Sequence, residues 1–376
     1  MFDLKSIRTK EDNSPKYYVL EDKGLEAAVQ MAIWLGKPLL LTGAPGTGKT
    51  QLAYKVAYML SSANETDGVA PFIEKPFIFN TKTTSTATDL FYYYDAVRHF
   101  QRRYVDDQDR LKISTSVTQQ IEPDSTVTIK NETTAASLSA HSFIQLNALG
   151  KAILQAWGKD AILASDELND LQWLAEFDKL ESSPRSSVVL IDEIDKAPRD
   201  FPNDLLFEIE NTSFSINELM NKNIPSPETN AQIVVIMTSN FEKNLPDAFL
   251  RRCLFYHIAF PDIKQLMKIV SSRIAPHLKE LYEDDTDKLS NISALLNKNL
   301  ETVITKFEEI RRGMKEKQPA TAELLEWIKT LEKQGFFNED VNFNNLSDKQ
   351  KEIFQLSLPA LAKSDDDLTM LKAKYA

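Results

Sequence analysis

The chain has 376 residues, enough for two or three domains with sizeable cores, and its 42% hydrophobic and 26% charged residues are ordinary globular composition. A formal net charge of −11 excludes a nucleic-acid binder that relies on overall positive charge, while leaving room for a local basic pore. The single cysteine, Cys253, excludes an internal disulfide framework and fits a reducing compartment. The histidines (His99, His141, His257, His277) lack ligand spacing, and no apolar run is long enough to span a bilayer. The opening Met1-Phe2-Asp3-Leu4-Lys5 lacks the apolar core of a signal peptide, so a cytoplasmic location without membrane contact is expected.

The first predicted strand, Pro38-Leu39-Leu40-Leu41-Thr42, is a short apolar run suited to burial. It leads into Gly43-Ala44-Pro45-Gly46-Thr47-Gly48-Lys49-Thr50, which fits G-x-x-x-x-G-K-[ST], the P-loop. Glycines in such a loop let backbone N–H groups turn inward on a polyphosphate. Lys49 reaches the β- and γ-phosphates, and the Thr50 hydroxyl can ligate Mg²⁺. Leu52, Val56, Met59 and Leu60 then recur at helical spacing, so the phosphates meet a helix N-terminus. A chance glycine-rich turn is the plain alternative; the flanking strand and helix argue against it.

A second strand is expected over Pro76-Phe77-Ile78-Phe79-Asn80. The aromatic group Phe91-Tyr92-Tyr93-Tyr94 reads as core packing on a helix rather than as a substrate-gripping loop. The polar stretch from Asp106 to Ser142 marks an insertion, around residues 100–150. There Ile113, Val117, Val127 and Ile129 flank Pro123-Asp124, which suits either a hairpin or a disordered loop.

Ser187-Val188-Val189-Leu190-Ile191-Asp192-Glu193 places two carboxylates at the C-terminal mouth of a buried strand, the edge where α/β sheets bind ligands. Such a pair can divide labour, Asp192 holding Mg²⁺ through its water shell and Glu193 orienting and deprotonating a water. Acids that complement a helix dipole are the alternative, weakened by the P-loop upstream. The strand Ile233 to Thr238 ends in Ser239-Asn240; Asn240 is either a turn residue or a hydrogen-bond donor to a γ-phosphate and its attacking water. In Leu245 to Cys253, Pro246 suits a helix start. Arg251 and Arg252 either complement the helix dipole or supply an arginine finger to a neighbouring subunit. Leu254 to Ile258 is the fifth strand, and these continuous runs predict a parallel sheet covered on both faces. Beyond Pro261 helical periods dominate, with Leu324, Leu325, Ile328 and Leu331 before a stopping Gly335, and a capping box at Ser347-Asp348-Lys349-Gln350. The expected division is an α/β core over 1–260 and an all-helical domain over 261–376.

The order of P-loop, Val188 to Asp195, Thr238-Ser239-Asn240 and Phe249-Leu250-Arg251-Arg252-Cys253 resembles the AAA+ ATPases, and within them the MoxR branch. Asp89 to Val97 and Phe143 to Gly150 are similar to the segments flanking that branch's inserted element. The resemblance implies an α/β P-loop fold with a parallel five-stranded sheet in the order 5-1-4-3-2 and a C-terminal all-helical lid. It also implies an insert in Asp106–Ser142 and a hairpin at Ser213-Phe214-Ser215-Ile216-Asn217. ATP and Mg²⁺ are the implied cofactors. Gly43, Ala44, Pro45, Gly46, Thr47, Gly48, Lys49, Thr50 and Gln51 would bind the nucleotide, with Thr50 and Asp192 at the metal. Glu193, Asn240 and Arg252 would be catalytic, with Arg251 in reserve.

Members form rings, usually hexamers, with active sites between subunits, and act with von Willebrand factor A domain proteins on a protein client. A ring-forming, chaperone-like ATPase is therefore expected. A nucleotide-driven motor on nucleic acid is the alternative; a scaffold that binds without turnover is disfavoured by the intact Asp192-Glu193 pair. Asn80 stands where related ATPases hold a polar switch for the glutamate. One departure stands out: where many lids present an arginine, this chain has Gln318-Pro319-Ala320-Thr321-Ala322-Glu323.

Overall fold

The computed structural model describes residues 14–63, 68–102, 140–199 and 201–375. Its strands are β1 (Leu39–Gly43), β2 (Phe77–Asn80), β3 (Tyr92–Tyr94), β4 (Ile144–Leu146), β5 (Ser187–Asp192), β6 (Phe214–Ile216), β7 (Lys222–Ile224), β8 (Ile233–Ser239) and β9 (Leu254–Ile258). Five of them form one sheet in the order β2-β5-β8-β1-β9, every pairing parallel. Numbered among themselves, these strands run 5-1-4-3-2, the expected order. Parallel strands need crossovers, and crossover helices cover both faces of the sheet. That is why Leu39–Leu41 and Val188–Ile191 are fully buried rather than alternating with polar residues.

Successive side chains still point to opposite faces. Leu40, Val189, Ile191, Val235 and Met237 join a core with Leu149 and Ile153. Leu39, Leu41, Val188, Leu190, Val234 and Ile236 join another with Leu25, Val29, Leu52 and Val56. These come from α1 (Lys23–Leu35), α2 (Lys49–Ser62) and α3 (Ala148–Trp157); α4 (Lys159–Ala164), α5 (Phe201–Asn211) and α6 (Asp247–Leu250) complete the helices around the sheet. Of the residues that gave α2 its helical spacing, Leu52 and Val56 are buried and Met59 faces solvent.

Two small antiparallel ribbons stand apart from this sheet. In one, β3 pairs β4 with Tyr92 opposite Leu146, so both ends of the inserted region meet. Phe91 to Tyr94 is therefore largely strand and not helix. Its packing role holds for Phe91 and Tyr92, both buried, while Tyr93 is exposed. The stretch around Pro123-Asp124, with Ile113, Val117, Val127 and Ile129, read as either a hairpin or a disordered loop, lies outside the described residues. The other ribbon pairs β6 with β7 just ahead of β8, as the resemblance implied. Met220 and Asn221 turn it with φ of 57° each, and the Met220 side chain is 97% exposed.

After β9 the described residues form α7 (Ile263–Leu281), α8 (Thr286–Gly313), α9 (Thr321–Lys333), α10 (Asp348–Ser357) and α11 (Asp365–Lys374). Leu266, Val270, Ile304, Phe307, Leu324 and Trp327 centre a core that draws its residues from this part of the chain. Caps set the boundaries. The Asp262 carboxylate accepts the Gln265 N–H at 2.8 Å, Ser347 and Gln350 bond reciprocally at 3.2 Å, and Gly335 (φ 81°) follows α9. Arg311 fastens the entry to the helical part: its guanidinium lies 3.6 Å from the Phe260 ring centroid and its Nε donates to the Pro319 carbonyl at 3.1 Å. Among the described residues no helix is long and apolar enough to cross a membrane.

Candidate functional site

β1 delivers the chain to the P-loop with Gly43 at φ 148°, Gly46 at 75° and Gly48 at 86°, all conformations that favour glycine. Space is short as well. A Cβ on Gly43 would overlap the Ile258 carbonyl oxygen, and one on Gly48 would sit 3.1 Å from the Tyr18 ring. α2 then begins at Lys49, with its first amides toward the loop. The Lys49 ammonium donates to the carbonyls of Gly43 at 2.8 Å and Ala44 at 3.0 Å. Burial pulls Lys49 below the usual lysine range, against the carboxylates of Asp192, Asp195 and Glu193, which favour its charge.

β5 and β8 lie side by side, so their C-terminal ends open together beside the loop. The Thr50 hydroxyl donates to the Asp192 carboxylate, 3.0 and 3.1 Å from its two oxygens, and the Thr238 hydroxyl donates to Oδ1 at 2.5 Å. Thr238 in turn accepts the Glu193 N–H at 2.8 Å. Glu193 turns the chain out of the strand at φ 55°, an uncommon conformation for a residue with a Cβ. Its Oε1 lies 3.4 Å from the Asn240 Nδ2, and its Oε2 pairs with Lys196 at 2.5 Å. That bond holds the Lys196 ammonium above its ordinary range. Asp192 and Thr50 are hard oxygen donors side by side, the set that suits Mg²⁺ with few protein ligands.

Two residues here escaped the sequence reading as functional groups. Thr238 links Asp192 to the Glu193 backbone; the signal was a polar residue closing an otherwise apolar strand. Asp195 is 2% exposed, and its Oδ2 accepts the N–H groups of Asn240 at 3.2 Å and Glu242 at 2.8 Å. It ties the turn after β5 to the turn after β8.

A cavity of about 480 Å³ runs along this edge. Pro45 to Gln51, Asp192, Glu193 and Asn240 line it, while Gly43 and Ala44 do not; their carbonyls accept from Lys49 instead. Tyr17, Tyr18, Ile258, Ile269 and Arg273 line it as well. Burial pushes the Tyr18 phenol up to about 12. The segment from Ser14 to Asp22 forms a strap there. Arg273 donates to the Ser14 carbonyl at 3.0 Å, Ser272 to Tyr17 at 2.9 Å, and Lys268 pairs with Glu21 at 2.6 Å. Lys55 of α2 holds the same strap at Lys16, 3.3 Å away.

Other expected site residues lie elsewhere. Arg251 and Arg252 follow α6, are exposed and do not line the cavity; the Arg252 Nε is 3.8 Å from Glu210. Asn80 ends β2 in register with Asp192, is exposed, and also stays off the cavity.

A glycine-rich loop between β1 and α2, facing paired acids on a parallel sheet, defines the P-loop class of α/β proteins. Residues 38–253, more than half of the chain, match the AAA domain of the dynein-related subfamily, and the chain belongs to this family. No match among curated proteins reaches significance. In fold it is similar to RuvB of Thermotoga maritima, 12% identical, over 96% of this chain and 76% of that one, at a TM-score of 0.41. It is also similar to domain III of the Thermotoga maritima replication initiation protein DnaA, 15% identical, over 94% of this chain and 98% of that one, at a TM-score of 0.38.

Proposed function

We propose that this chain is an ATPase of the MoxR type that assembles into rings and uses ATP binding and hydrolysis to remodel or activate a protein partner. The observation that carries the reading is the convergence of Thr50, Asp192, Glu193 and Asn240 beside the P-loop, within one hydrogen-bonded group. The loop amides and Lys49 would bind the phosphates; Lys49 would exchange the Gly43 and Ala44 carbonyls for phosphate oxygens. Mg²⁺, held through Thr50 and Asp192, would neutralise charge on the β- and γ-phosphates. Glu193 would take a proton from the attacking water, and Asn240, bonded to the same carboxylate, would orient it. The helical part after β9 would act as the lid, and the exposed Arg252 would serve the site of a neighbouring copy.

Glu193→Gln tests the assignment. This variant keeps the shape of the side chain and removes its basicity. ATP binding should be retained, steady-state turnover should fall by about 10²-fold or more, and assembled rings should accumulate. Turnover at the wild-type rate would remove Glu193 from the role of base. Captured with ATP, the same variant should retain a partner with a von Willebrand factor A domain. Turnover stimulated by DNA or RNA with steep salt dependence would point to a nucleic-acid motor instead.

A further inference from the structure

Glu193 leaves β5 and opens a single 3₁₀ turn, Ile194–Lys196, in which the Lys196 N–H donates to the Glu193 carbonyl at 2.9 Å. A 3₁₀ helix has three residues per turn, so side chains at i and i+3 eclipse. Local backbone geometry alone therefore brings Lys196 over Glu193. The lysine ammonium bonds Glu193 Oε2 at 2.5 Å, while Asn240 Nδ2 lies 3.4 Å from Oε1. Among the described residues these are the two side-chain partners of the carboxylate, and the lysine is the nearer and the charged one.

The turn that presents the lysine is well anchored. Ile194 and Asp195 are buried, Asp195 Oδ2 accepts two amides of the turn after β8, and the Lys243 ammonium donates to the Lys196 carbonyl at 3.2 Å. Glu193 lines the cavity and Lys196 does not. A carboxylate oxygen that accepts from an ammonium has a lone pair engaged, and a base must offer a lone pair to the water it deprotonates. The two side chains are 39% and 38% exposed, so their attraction is weak and readily exchanged for another contact.

We infer that Lys196 is a positioning residue that restrains Glu193: its ammonium engages the carboxylate in the resting site and gives it up when the attacking water is in place. This rests on the reading of Glu193 as the base and adds to it a restraint built into the same turn. The lysine acts through Glu193 and touches neither nucleotide nor water. Its removal frees the carboxylate and leaves the P-loop untouched.

The test uses the full chain at one protein concentration. Lys196→Met keeps the apolar stem and removes the charge. Its kcat for ATP should rise about two- to fivefold, the range one partly exposed ion pair can supply, with KM within about twofold of wild type. Lys196→Arg restores a charged donor and should bring kcat back to within about twofold of wild type. Added to Glu193→Gln, the Lys196→Met change should have no further effect, because the lysine acts through that carboxylate. A second readout needs no turnover: reductive dimethylation of lysine amines followed by peptide mass spectrometry. Lys196 should react severalfold faster in Glu193→Gln than in wild type, and wild type should approach that rate once adenylyl imidodiphosphate and Mg²⁺ are added. An unchanged or lower kcat in Lys196→Met, or labelling indifferent to either change, would overturn the inference. A raised KM would overturn it too, by giving the ammonium to the phosphates. If Glu193→Gln turns over at the wild-type rate, the reading of the base falls. If Glu193→Gln is inactive while Lys196→Met matches wild type, only the restraint falls.

Discussion

Asp195 lies two residues beyond Glu193 and reaches across to the turn after β8, where its Oδ2 accepts the amides on both sides of Phe241. Phe241 itself sits at φ 59°, so the carboxylate oxygen organises a left-handed turn around it. This strut ties together the turns that carry Glu193 and Asn240. Asp195→Ala would leave two amides without their acceptor, at about 1–3 kcal/mol each where they stay buried. ATP turnover should fall roughly tenfold to a hundredfold with KM near wild type, the signature of lost orientation rather than lost binding. Asp195→Asn, whose amide oxygen still accepts both N–H groups, should recover most of the rate. Steady-state kinetics on the three proteins decides it: a raised KM at unchanged kcat would show that the strut serves binding. Asp192 and Glu193 were legible because four apolar residues fix the strand and so fix where the acids emerge. Asp195 was not, because its direction is set by a tight turn and its partners lie far along the chain.

At the scale of elements, continuous apolar runs made the five main strands readable, since only a sheet covered on both faces tolerates them. The tyrosine ribbon was not readable. Tyr92–Tyr94 finds its partner strand beyond the inserted region, and aromatic residues suit packing on a helix as well as on a strand. The C-terminal elements were legible by period and caps, but their fastening was not. Glu309 of α8 bonds Lys306 on its own helix at 2.8 Å and Lys374 of α11 at 2.9 Å. Those bonds hold its carboxyl down at about 2 against an ordinary 4.5. A depressed carboxylate stabilises the fold above its unfolded pKa, and that contribution is lost as pH falls through the folded value. Glu309→Gln should therefore lower stability at pH 7 by at most about 1 kcal/mol, because the pair is partly exposed. The difference from wild type should shrink as pH drops from 4.5 toward 2, followed by thermal melts. A constant difference across that range would assign the effect to packing instead.

At the scale of the whole molecule, the P-loop, Asp192, Glu193 and Asn240 line one cavity, while Arg251 and Arg252 stand outside it on an exposed helix end. If the finger comes from a second copy, turnover per subunit should rise with protein concentration in the wild type. Arg252→Ala should abolish that rise, by about 10³-fold at full assembly, yet still bind ATP as a monomer. A wild-type response would move the role to Arg251. The sheet order carries a different consequence. β1 stands between β8 and β9, yet Leu39 precedes its partner Ile236 by almost 200 residues. At roughly 5–20 residues per second of synthesis, the Leu39-Leu40-Leu41 strand leaves the ribosome tens of seconds before its neighbours exist. During that interval a strand that is fully buried in the finished protein is an unpaired apolar segment, so the order of birth keeps the sheet from closing until β8 and β9 have emerged and leaves this strand open to chaperones and to aggregation.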